Sequence, residues 1–218
     1  MTIRIANYDD IPSIEKLRII AYQNATGSVT PDTSFLNWGT QDEQSIVLIL
    51  ENEQKQIVST MRGNLINTLT ELEAFFDITL NASFSFPVFT MGRAATFLEY
   101  RGLGYSAAMR ILFLKACLSN HTVQGIASTI QADASRVLLL QQMGYHIEKA
   151  DISNRQDSYF HNSSDTLFNL LPRKCFESAI MTATQKIVTP LSAFEIQSNL
   201  VAQIHRRIDQ LSLTHHSF

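Results

Sequence analysis

The chain has 218 residues, 45% of them hydrophobic and 17% charged, with a formal net charge of −3. That balance excludes a disordered chain, and the length suffices for one sizeable core plus an appendage, or for two small domains. The mild acidity and the lack of a basic arm argue against a nucleic-acid partner. Cys117 and Cys175 form no disulfide framework, which favours a reducing, cytoplasmic compartment. The opening "MTIRIANYDD" lacks the apolar stretch of a signal peptide. The apolar runs "SIVLIL" and "VLLL" are far too short to span a bilayer, so no membrane span is expected.

"TIRIA" predicts a first strand, and "NYDDIPSIEKLRIIAYQNA" a helix with Ile11, Ile14, Leu17, Ile20 and Ala21 on one face. "TGSVTPDTS" reads as a loop, and "SIVLILENEQKQIVSTMRG" as a hairpin turning at "ENEQKQ". "TLTELEAFFDITL" has helical spacing, and "SFSFPVFTMGRAATF" predicts a long fourth strand with Pro87 near its start. "SAAMRILFLKACLSN" predicts a strong helix and "VQGIASTI" a strand. "DASRVLLLQQMGYHI" predicts a helix capped by Asp133 and stopped by Gly144, then a strand. The polar stretch "DISNRQDSYFHNSSD" is the best candidate boundary, dividing a domain of residues 1–150 from a C-terminal extension of residues 151–218. In that extension "TLFNLLPRKCFESAIMTATQKIV" is ambiguous, and a last helix is expected to open at Thr189–Pro190. Phe194, Val201 and Ile208 repeat at seven residues, as do Ile204 and Leu211. This narrow seam suits packing on the body of its own chain, with a homodimer seam as the alternative. The fold class is therefore α/β, with one hairpin followed by strand–helix–strand units.

The stretch "YRGLGYSAAMR" carries the chemistry. Gly102 and Gly104 lie between a strand and a helix starting near Tyr105, where free amides and a partial positive charge receive anions. Ser106 adds a hydroxyl and Arg101 a permanent charge at the mouth. The spacing also fits a relaxed dinucleotide fingerprint. Against that reading, Tyr100–Arg101 separates strand from glycine, and no acidic residue ends the next strand. A Walker phosphate loop is excluded because no Gly-Lys-Ser/Thr follows.

"RGLGYS" resembles the Arg/Gln-x-x-Gly-x-Gly/Ala signature of the GNAT superfamily, N-acetyltransferases that use acyl-coenzyme A. Arg101 and Gly104 match, and Ser106 stands where Gly or Ala is usual. "IRIANYDDIPSIEKLRIIAY" is similar to the family's opening strand and helix, "GRAATFLEYRGLGYSAAM" to its fourth strand, pyrophosphate loop and following helix, and "DASRVLLLQQMGYHI" to its late helix. The resemblance covers roughly residues 2 to 150. It implies a mixed, mostly antiparallel central sheet with helices on both faces. It implies coenzyme A contacts from Thr96, Phe97, Leu98, Arg101, Gly102, Leu103, Gly104, Tyr105, Ser106 and Asp133. It also implies that backbone around Phe97, where the fourth strand splays from the fifth, polarises the thioester carbonyl. An acceptor amine, a small molecule, then attacks directly, without metal or covalent intermediate.

Leu140 stands where many members carry a tyrosine that protonates the leaving thiolate, and Asp133 replaces a usual asparagine. A thiol ionises near about 8.5, so its thiolate can leave without a dedicated acid. A non-catalytic acyl-coenzyme A sensor is the alternative. The long segment holding Phe75, Phe76, Phe84, Phe86 and Phe89, with Arg62 before and Arg93 after, is similar to a branch making N-acyl amino acids and acyl-homoserine lactones. Its donors are often long acyl chains on acyl carrier protein, and an arginine on its fourth strand matters, which makes Arg93 the candidate here. That branch's glutamate three residues earlier is replaced by Thr90. The same phenylalanines also fit ordinary core. Glu71, Glu73 and Asp77 could supply a base or simply form a solvated helix face. Trp38 would line the acceptor site or plug the core. His121, His146, His161, His205, His215 and His216 have no metal-ligand spacing.

Overall fold

The computed structural model describes residues 1–26, 36–80, 84–150 and 166–214. The polar stretch "DISNRQDSYFHNSSD", nearly all of "TGSVTPDTS", and His161, His215 and His216 lie outside the described residues. Strand β1 (Thr2–Ile5) leads through a 3-10 turn at Tyr8–Asp10 into α1 (Ile11–Thr26). Asn7 caps that turn: its side chain accepts from the Asp9 amide, while the Asp10 carboxylate accepts from the Asn7 amide. After α2 (Thr40–Glu43) come the hairpin strands β2 (Ile46–Glu51) and β3 (Ile57–Ile66), then α3 (Leu69–Phe76) and β4 (Val88–Thr96). Helix α4 (Tyr105–Ser119), β5 (Gly125–Gln131), α5 (Val137–Gln142) and β6 (His146–Lys149) follow. The last part holds β7 (Thr166–Pro172), α6 (Phe176–Lys186), β8 (Glu195–Ile196) and α7 (Leu200–Thr214).

The strands form one eight-stranded sheet in the order β6-β7-β5-β4-β3-β2-β1-β8. Only β4–β5 and β1–β8 are parallel; the other pairs are antiparallel. Every residue of β2 and β3 is buried, as expected for central strands covered on both faces. One face packs against α4, α6 and α7, and the other against α1 and α3. The mixed, mostly antiparallel sheet with helices on both faces is as the sequence led us to expect.

Strand β7, beyond the candidate boundary, is woven into this sheet. Strand β7 lies between β5 and β6, with Gln131 opposite Thr166 at one end and Gly125 opposite Pro172 at the other. The polar stretch that suggested the boundary lies outside the described residues, and the strand that follows it is paired on both edges. The last helix does not open at Thr189–Pro190. Residues 191–193 form a 3-10 turn, Glu195–Ile196 pair with the edge of β1, and α7 begins at Leu200. Leu200, Ile204 and Ile208 are fully buried against the body of the chain, the first of the two packings the seam suggested. Phe194 stands outside α7, packed edge-on against Tyr105 with ring centroids 5.7 Å apart. Helix α5 also starts late, at Val137 instead of near Asp133. Gly144, at φ 92°, ends it as expected.

Phe75, Phe76, Phe84 and Phe86 pack with Phe168 and Leu72 in a cluster of their own, and Phe89 packs on Phe113 in the main core. Cys117 is buried within α4, and burial pushes its thiol far above the ordinary range. In native protein Cys117 should therefore resist iodoacetamide and react only on unfolding. Rapid native alkylation at Cys117, read by mass spectrometry, would contradict this packing.

Candidate active site

Strand β4 stays paired with β3 as far as Thr96, but meets β5 only over Val88–Thr90. Beyond Thr90 the two parallel strands diverge. The cause lies in β4. Between Gly92 (opposite Arg62) and Ala95 (opposite Thr60), Arg93 and Ala94 face the single residue Met61. This is a β-bulge, with Arg93 at φ 51°. A bulge bends its strand and increases local twist, here turning β4 away from β5.

A cavity of about 720 Å³ fills the divergence. Ala94, Ala95 and Thr96 line one wall, and Thr129, Ile130 and Gln131 of β5 the other. Leu139, Leu140 and Met143 of the α5 region, Tyr22 of α1 and Ile187 close it further. Its charges are all of one sign: Arg101, Arg110, Arg136 and Lys186 line it, and no described lining residue is a carboxylate. Desolvation at the wall, then the like charge of Arg110, lowers the Arg136 guanidinium to about 10.

The glycine turn forms the mouth. Gly102 and Gly104 have φ of 78° and 85°, values that disfavour any residue with a side chain. The amides of residues 102–104 donate to no described group, and those of 105–107 lack partners as the first turn of α4. A Cβ at Gly102 would meet nothing within 4 Å, so that residue faces open space. A Cβ at Gly104 would instead lie 3.1 Å from Ile187 Cγ1 and 3.2 Å from the Thr189 amide nitrogen. The Thr189 hydroxyl also donates to the Leu103 carbonyl at 2.6 Å. The C-terminal segment thus clamps the turn.

Several expected residues meet here. Thr96, Arg101, Gly102, Gly104, Tyr105 and Ser106 line the cavity. Phe97, Leu98, Leu103, Arg93 and Asp133 do not. Leu98 is 59% exposed, and Asp133 sits in an exposed turn ahead of α5. The expectation for Phe97 needs correction: its amide donates to the Val58 carbonyl of β3 at 3.1 Å and cannot also serve a ligand. Alternation along a strand then aims the Thr96 amide the other way, toward the open gap. Arg101 is not a loose charge at the mouth. Its Nη2 donates to the Ala21 carbonyl at 2.6 Å and its Nε to the Thr96 carbonyl at 3.3 Å, tying the turn to α1 and β4.

Arg93 belongs to a second constellation, on the α1 side of the sheet. Arg18 and Asp42, fully buried, pair at 2.7 Å, and Arg62 lies 3.6 Å from the same carboxylate oxygen. Burial, with the like charges of Arg93 and Arg18, lowers Arg62 to about 10 despite Asp42. The Arg93 guanidinium is likewise lowered, mainly by burial. Tyr22 stands between this cluster and the cavity, bordering the cavity while lying close to both Arg62 and Arg93. Sequence reasoning missed Arg18 and Asp42. The signal was there for Arg18, an arginine four residues after Ile14 on the apolar face of α1.

The other candidates resolve as structure. The Glu71 carboxylate accepts from the Asn67 amide, and that of Glu73 from the Leu80 amide, so both brace the ends of α3. Trp38 lies against Arg18, 5.9 Å from guanidinium carbon to ring centroid, and packs on the α1 core. His121 and His146 are exposed, and His205 lies 3.6 Å from Asp209 within α7. Among the described residues no His, Cys, Asp and Glu group could hold a metal ion, and no helix is long and apolar enough to cross a membrane.

The fold is that of the GNAT acetyltransferases. An acetyltransferase related to histone acetyltransferase HPA2, from Corynebacterium glutamicum, superposes with a TM-score of 0.54 at 16% identity, over 78% of this chain and 95% of that one. The CoA-dependent acyl-homoserine lactone synthase BjaI, solved with SAM and isopentyl-CoA, gives 0.57 at 12% identity, over 91% and 93%. Naa20 of Chaetomium thermophilum, solved with a bisubstrate analogue, gives 0.53 at 12% identity, over 93% and 99%. No family model and no curated protein matches the sequence.

Proposed function

We propose that this chain moves an acyl group from an acyl-coenzyme A thioester to a small-molecule amine. The observation that carries this is the gap between β4 and β5: a cavity with four cations, no carboxylate, and a mouth of unpartnered amides. Such a site complements a long polyanion with a neutral tail. The amides of 102–107 would take the pyrophosphate, where the α4 dipole favours negative charge. The Thr96 amide, aimed into the gap, would polarise the thioester carbonyl. The amine attacks that carbonyl directly, after losing its proton to solvent or a buffer base. Arg93 lies outside the cavity wall, so its part in this reading is to shape the bulge and not to touch the thioester.

Leu140, in the cavity wall and only 5% exposed, favours a second reading, a coenzyme binder without turnover. One experiment separates the two. Free-thiol release from acetyl-, octanoyl- and palmitoyl-coenzyme A is followed against a panel of amines, with acylated product read by mass spectrometry. Release with at least one pair supports transfer. Tight binding with no release for any pair assigns the binder, and no binding overturns both readings.

A further inference from the structure

Leu140 cannot protonate a thiolate, but a cation stands in the same cavity wall. Arg110 projects from α4 with its Nη1 3.7 Å from Met91 Sδ. Met91 is the first residue of β4 beyond its pairing with β5, so the guanidinium sits where the gap opens. Arg136, just before α5, reaches the same space: the charge of Arg110 bears on it, and Leu140 follows four residues later on the same face. Neither Arg110 nor Arg136 forms an ion pair among the described residues. Arg110 is half-buried in a wall shared with Ile130, Leu139, Leu140 and Met143, while Arg136 is exposed at the rim, so a guanidinium with no counter-charge among the described residues faces the gap and suits an anion. The pyrophosphate has its own partners at the glycine turn. The other anion that forms during acyl transfer is the departing thiolate.

We propose that Arg110, aided by the charge of Arg136 at the rim, holds the leaving thiolate as an anion, in place of an acid that protonates it. This rests on the acyl-transfer reading above. The amine lone pair forms the C–N bond, and the carbonyl reforms as the C–S bonding pair moves onto sulfur. The amine's proton goes to solvent, and the thiolate takes a proton from water after release. Arginine does not deprotonate at working pH, so it supplies charge and N–H donors and no proton. The titratable and charged groups around Arg110 are Tyr22 from α1, Arg136, Tyr145 after α5, Cys117 of α4 and Lys186 at the end of α6. Burial raises both Tyr145 and Cys117, so neither ionises in the range tested.

The test compares binding of coenzyme A with that of desulfo-coenzyme A, which lacks the thiol, by calorimetry across pH. A bound thiol that ionises more readily gains affinity as pH rises toward the free coenzyme thiol's own pKa, and the gain levels off above it. In the native chain the preference for coenzyme A should rise to about tenfold, the effect of one unit of thiol depression. Arg110→Lys should keep most of it. Arg110→Met should weaken both compounds, since it removes one cavity cation, but their ratio should show no rise with pH, and Arg110→Gln gives the same test should the methionine variant not fold. A flat ratio in the native chain, or an unchanged rise in the neutral variants, overturns the proposal and leaves acyl transfer standing. No binding of either compound overturns acyl transfer as well.

Discussion

Gly104→Val should weaken coenzyme A binding by about 100-fold or more, near 2.8 kcal/mol, in a chain that still folds. Two effects add. The native φ of 85° is costly for a β-branched residue, about 1–2 kcal/mol or more. The new Cβ would also press on the backbone of Val188 and Thr189, at 3.3 and 3.2 Å. Relief means moving the 187–189 segment, which lines the cavity and clamps Leu103 through Thr189. Gly102→Ala has the strain, at φ 78°, without the collision, so its loss should be smaller, about tenfold. Calorimetry with coenzyme A, on variants whose circular dichroism matches the native chain, checks both. Native affinity in folded Gly104→Val would remove the glycine turn from the site.

Asp42→Asn should destabilise the fold by about 3–5 kcal/mol, because it leaves Arg18 and Arg62 buried without their shared counter-charge. The strain is already visible in the native chain, where Nε and Nη1 of Arg18 have no hydrogen-bond partner. Replacing the pair together, Arg18→Met with Asp42→Leu, should cost less than Asp42→Asn alone, since no charge of that pair stays stranded. Urea unfolding measures all three chains, and equal losses for single and double replacement would refute the coupling. Burial pushes the Asp42 carboxyl up, but the hydrogen bond and charge of Arg18, with Arg62, hold it below its usual value. A depressed folded value means the stabilisation is complete above the unfolded value of about 3.9 and is lost as pH falls below it. Native stability should therefore drop more steeply below about pH 4 than that of Asp42→Asn.

The glycine turn was legible in the sequence because backbone at φ near 80° leaves few choices of residue, so Gly102 and Gly104 announce it wherever they occur. The hairpin and α4 were legible from apolar periodicity. The placement of β7 was not, because its pairing with β5 joins residues some 40 positions apart, from Ile126 with Leu171 to Ser128 with Asn169, across a polar segment resembling a linker. The direction of the Phe97 amide, toward β3, has a local cause. Strand alternation has a period of two, and the extra residue at Arg93–Ala94 reverses which amides face the gap. The Arg18–Asp42–Arg62 cluster assembles from α1, α2 and β3, and no spacing in the chain foretells that meeting. The all-cationic wall was equally hidden, since Arg136 and Lys186 come from segments 50 positions apart.

The most direct measurement is a calorimetric titration of the folded chain with coenzyme A at low and at high salt. A cavity with Arg101, Arg110, Arg136 and Lys186 in its wall predicts one coenzyme per chain, bound more weakly as salt rises. No binding by folded protein at coenzyme concentrations up to about 1 mM, where even an interaction of about −4 kcal/mol would register, would contradict the account.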